Sequence, residues 1–85
     1  MSAEKGKRVK RVQTGVRIEK RILKVAKGIA EIHDITLGDL LEGVLLHAFE
    51  GRCAFGEDTI ERIGKLRDVY GLDLTAEDSH KLSES

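Results

Sequence analysis

Arg11, Gln13 and Arg17 fall at alternate positions of KRVQTGVRI, residues 10–18, and bring two guanidinium groups and a carboxamide to one side of that run. Gly15 shares their side, while Val12, Thr14, Val16 and Ile18 take the other, because side chains alternate along an extended chain. One side therefore offers hydrogen-bond donors at regular spacing without a single acid. That chemistry suits a polyanion. The alternation predicts one β-strand, and nothing later in the chain reads as a second. A lone strand leaves its backbone donors and acceptors unpaired, so a second copy of the chain is expected to supply the partner. The expected result is a two-stranded antiparallel ribbon, its apolar face on a helical core and its basic, amide-bearing face toward DNA.

The elements that would hold this run are helical. From Glu19 to Ile32, the residues Ile22, Val25, Ala26, Ile29 and Ile32 recur at helical spacing, and Leu23 and Ala30 widen the stripe. Gly28 costs about 1 kcal/mol there relative to Ala, which points to close helix packing. Glu19 is not among the preferred N-cap residues, so this start reads as poorly capped. The next start is better signed: Thr36 is placed as an N-cap with Asp39 three residues on, and Ile35 and Leu40 are placed as a hydrophobic staple. A second helix is predicted from Leu37 to Glu50, with Leu37, Leu40, Leu41, Val44, Leu45, Ala48 and Phe49 on its apolar face and Gly51 as its stop. A third is predicted from Thr59 to Tyr70, capped by Asp58, with Ile60, Ile63, Leu66 and Val69 or Tyr70 as its stripe and Gly71 at its end. The remaining LDLTAEDSHKLSES is polar, expected to fray, with one short helical turn.

Eighty-five residues allow one small domain, and small domains bury a modest share of their surface, so dimerisation is a natural way to enlarge the core. The net charge of zero conceals a separation. Residues 1–27 carry ten Lys and Arg against Glu4 and Glu19, and residues 28–85 carry five against thirteen acids. Such asymmetry implies one end that meets a polyanion and one kept away from it. No apolar run approaches the roughly 20 residues of a membrane span, and the basic start lacks the apolar stretch of a secretory signal. With Cys53 as the single cysteine there is no internal disulfide, which fits a reducing cytoplasm.

A basic arm, one alternating strand, a helix, a tight turn and a capped second helix: this order resembles the ribbon-helix-helix DNA-binding family of Arc- and MetJ-like repressors. The resemblance covers about residues 10–50 and rests on QTGVRI, the two-helix spacing and ITLGDLL. It implies a mainly α fold, an intertwined homodimer with one antiparallel strand per chain, and a ribbon that enters the major groove. The implied organisation is a flexible basic arm over 1–9, a DNA-binding and dimerisation domain over 10–51, and a C-terminal helical extension over 52–85.

Carried over residue by residue, the resemblance puts Gln13, Gly15 and Arg17 at base-reading positions, with Arg11 added from the start of the strand. Arg17 suits a guanine edge and Gln13 an adenine edge. Gly15 departs from the family's polar residue and would instead let the backbone come close. Phosphate contacts fall to Lys5, Lys7, Arg8 and Lys10 of the arm and to Thr36, Leu37 and Gly38, where free N–H groups open the second helix. His33 and Asp34 stand in the turn where the family often has Gly. The lysines and arginines of the first helix, Lys20, Arg21, Lys24 and Lys27, read as a solvated face that raises the local potential.

His33, His47, His80 and Cys53 share no ligand spacing, so no metal and no cofactor are expected. Phosphate-cradling loops, HExxH, paired-Cys motifs and nucleophile elbows are all missing, and an enzyme is not expected. The expected function is a sequence-specific, repressor-type transcriptional regulator acting as a homodimer in the cytoplasm, with double-stranded DNA as partner and higher-order assembly on it. Residues 52–85 leave two readings open: a helix that extends the core, or an element that binds a protein partner. In the second reading the chain is an antitoxin whose DNA-binding part regulates its own operon. A third alternative is a purely helical interaction protein in which residues 10–18 have no order.

Overall fold

The structure, a computed structural model, describes residues 6–84. The first part of the arm, Lys5 included, therefore lies outside the described residues. The chain forms α1 (Lys20–His33), α2 (Leu37–Phe49) and α3 (Glu57–Tyr70), followed by a short 3₁₀ turn, Ala76–Asp78. The first helix is the centre of the arrangement, since both α2 and α3 pack on it. Val25, Ile29 and Ala30 of α1 and Leu40 of α2 are the buried core, bordered by Ala26, Leu37, Val44, Phe55, Ile63, Leu66 and Leu72. The period read from α1 thus finds the core at its middle, whereas Ile22 and Ile32 at its ends stay exposed.

No β-strand occurs among the described residues. This overturns the ribbon-helix-helix architecture and its intertwined, strand-paired dimer. Residues 10–18 run as irregular, exposed chain without ladder hydrogen bonds. Nor do they present two separate faces: Val12, Thr14 and Val16 border the same shallow depression as Gln13 and Gly15, alongside Leu23, Leu37 and Leu41. A strand exists through its ladder, and nothing among the described residues offers one, so the exposed backbone is left to solvent.

Helix ends follow local chemistry closely. Glu19 does cap α1, its carboxylate accepting from the N–H groups of Arg21 and Ile22 at 2.9 Å each. Thr36 caps α2 by accepting from Asp39 N–H at 3.1 Å. Asp39 gives no reciprocal bond among the described residues. The third helix begins two residues earlier than its sequence suggests, after Gly56, without a side-chain cap. All three helices close in the same way, through a left-handed residue: Asp34 (φ 59°), Gly51 (φ 72°) and Gly71 (φ 65°). The next N–H then reaches back to the penultimate turn, as Ile35 to Ala30, Arg52 to His47 and Leu72 to Arg67, the Schellman pattern.

Gly28 is where α3 comes nearest. A methyl group at that position would lie 3.0 Å from Leu66 Cδ2, so the missing side chain is what lets Leu66 seat against α1.

Candidate nucleic-acid interface

Every residue from Gly6 to Ile18 is exposed, and so are Lys20, Lys24 and Lys27 of α1. Lys7, Arg8, Lys10, Arg11 and Arg17 are thus open to solvent, as are the α1 lysines, and Lys27 borders the depression that residues 12–16 line. Gln13 and Gly15 lie in the same segment, and a side chain added at Gly15 would meet nothing within 4 Å. Lys24 also stands over the ring of Tyr70, its Nζ 5.7 Å from the centroid.

Two arginines of this surface are held by acids from distant parts of the chain. Arg11 makes a two-point pair with Glu42 of α2, Nε donating to Oε2 at 2.8 Å and Nη2 to Oε1 at 2.9 Å. The bond holds the Glu42 carboxyl below its ordinary range and raises the Arg11 guanidinium. Arg17 donates from Nε (2.9 Å) and Nη2 (2.5 Å) to Glu84 Oε2. The exposed run contains no acid of its own, yet acids 31 and 67 residues away in sequence complete it. No local pattern encodes those pairings.

Arg21, read from sequence as a solvated charge, is a junction. It donates from Nε to Glu19 at 2.9 Å, and from Nη1 to Gly71 O at 3.0 Å and Asp73 at 3.1 Å. The helix start, the end of α3 and the segment after it thus meet on one guanidinium. Glu19 lies below the ordinary carboxylate range, first because the Ile22 N–H donates to it and then because of Arg21.

At the opening of α2, the Leu37 and Gly38 N–H groups donate no bond among the described residues, while the Thr36 hydroxyl oxygen is engaged in its cap. Asp39 stands beside them in the first turn, and its negative charge offsets part of the positive end of the helix. His33 and His47 are tied locally: His47 Nδ1 donates to Gly43 O at 2.8 Å, and His33 Nε2 lies 3.4 Å from Thr59 Oγ1. Among the described residues no group of three His, Cys, Asp or Glu side chains is placed to hold a metal ion. Cys53 is an exposed thiol in the α2–α3 connection, and no described helix is long and apolar enough to cross a membrane.

Comparison of the chain with protein-family models, with curated proteins and with solved structures finds no match.

Proposed function

We propose that this protein is a sequence-specific DNA-binding regulator of transcription, of the repressor type, acting as a homodimer in the cytoplasm. The observation that carries the reading is the solvent-open basic segment, residues 7–18, continuous with Lys20, Lys24 and Lys27, while thirteen of the fifteen acids lie in residues 28–85. Affinity comes from the lysines and arginines that release counterions from phosphates, with Lys7, Arg8 and Lys10 and the opening of α2 at Thr36, Leu37 and Gly38 in that role. Selectivity comes from Arg11, Gln13 and Arg17 at base edges, and Gly15 leaves the backbone unshielded between them. On DNA, Arg11 and Arg17 exchange a carboxylate for a base or a phosphate.

The homodimer is supported by the apolar surface that one chain leaves open. Among the described residues only four apolar side chains are buried, while Val12 (79%), Val16 (71%), Leu46 (64%) and Phe49 (76%) remain largely exposed. Titration against randomised duplexes and the protein's own upstream region, at several salt concentrations, tests the reading. Enrichment of a short inverted repeat with affinity falling steeply in salt is expected, and absence of binding at low salt overturns it. Within that titration, Arg17→Ala is expected to cost about 1–3 kcal/mol and relax choice at one base pair.

A second reading, an antitoxin that also regulates its operon, draws on Ile60 and Val69 of α3, which stay 48% and 74% exposed. Co-purification with the product of an adjacent toxin-like gene would favour it.

A further inference from the structure

The chain does not end its fold at α3. After Gly71 it turns back across the start of α1, anchored where Arg21 takes Gly71 O and Asp73 and where Arg67 Nη2 donates to Leu74 O at 2.9 Å. Leu72, Leu74 and Asp78 are half-buried there. The 3₁₀ turn is pinned by Thr75 N–H donating to Asp78 Oδ2 at 2.8 Å. Beyond it Glu84 reaches Arg17. Residues 72–84 hold Asp73, Glu77, Asp78 and Glu84 against Lys81 as the one Lys or Arg.

We propose that residues 72–84 are an acidic strap that competes with nucleic acid for Arg17 and so sets the affinity of the basic surface. The inference rests on the DNA-binding reading above. Its root is fixed by two arginines, and its tip holds Arg17 by a pair whose side chains are 85% and 71% exposed. Both Arg17 donors used by Glu84, Nε and Nη2, lie on the guanidinium edge that would otherwise face a base or a phosphate. Nucleic acid cannot take that edge until Glu84 leaves. An exposed ion pair is weak and screened by salt, so a polyanion displaces it at modest cost. A tight, buried lock would abolish binding, whereas this arrangement lowers the affinity by one modest factor for every sequence that engages Arg17.

The test measures duplex binding by the full chain, by Glu84→Gln and by Glu77→Gln. Glu77 lies on the same strap and makes no ion pair among the described residues, so its variant removes equal charge without freeing Arg17. Glu84→Gln is expected to bind about two- to fivefold tighter, in proportion to what an exposed pair contributes, and Glu77→Gln to change little. Adding Arg17→Ala to Glu84→Gln should erase the gain. Equal tightening by both single variants, or none by either, overturns the strap while leaving DNA binding intact. Failure of every protein to bind DNA overturns both readings together.

Discussion

Arg11 and Glu42 face each other with two parallel hydrogen bonds, at 2.8 and 2.9 Å, and so tie the exposed N-terminal segment to α2. Two-point guanidinium–carboxylate pairs fix orientation as well as distance. Because both side chains are open to water, the pair is expected to order the segment more than to stabilise the fold. Glu42→Gln should therefore hasten trypsin cleavage after Lys10 and Arg11 while leaving the melting temperature nearly unchanged. An unaltered cleavage rate would show that the segment is held by other means.

Acid should loosen the same contacts. Glu19 and Glu42 both titrate below their ordinary value of 4.5 in the folded chain. A carboxylate with a lowered folded pKa contributes stability that is complete above its unfolded value and is lost as pH falls through the folded one. Thermal stability is thus expected to be insensitive to these groups at neutral pH and to decline below pH 4.5. Glu19→Gln should flatten part of that decline in melts followed by circular dichroism.

The approach of Leu66 to Gly28 makes position 28 intolerant of bulk. Gly28→Val is expected to destabilise by about 1–3 kcal/mol through overpacking, although valine is the better helix former. Truncating the neighbour, in Gly28→Val with Leu66→Ala, should recover part of the loss. Additive losses in denaturant melts would mean that α1 and α3 do not meet at this point.

Phe49, 76% exposed at the end of α2, and Val16, 71% exposed, are placed to lie within the proposed contact between two copies. Phe49→Glu should move the protein toward monomer in sedimentation. It should also lower the melting temperature and make it less dependent on concentration, because association then adds less to the stability of the folded chain. A monomeric wild-type protein at micromolar concentration would remove the dimer from the reading.

The three helices were legible because each carries its own period and stop: Gly51 and Gly71 end α2 and α3 where turn chemistry places them. Asp34 was less legible, since a left-handed closure is ordinarily a glycine's task. Its φ of 59° shows that an Asp side chain tolerates the same position. The strand failed for a different reason. Alternation over KRVQTGVRI specifies which side chains could share a face, but a strand also needs a ladder, and the described chain supplies none. The basic character of the candidate interface was readable from composition alone. Glu42 and Glu84 were not, because pairings across such separations depend on how α1, α2 and the last segment are folded together.

The contact between Arg17 and Glu84 has a practical consequence for anyone attaching a reporter. A fluorophore or fusion joined after Glu84 starts beside Arg17 and would report on that contact first. A reporter at Cys53, an exposed thiol in the α2–α3 connection, belongs to a different part of the chain. Two dyes, one at Cys53 and one after Glu84, would therefore turn release of the last segment into a change of colour.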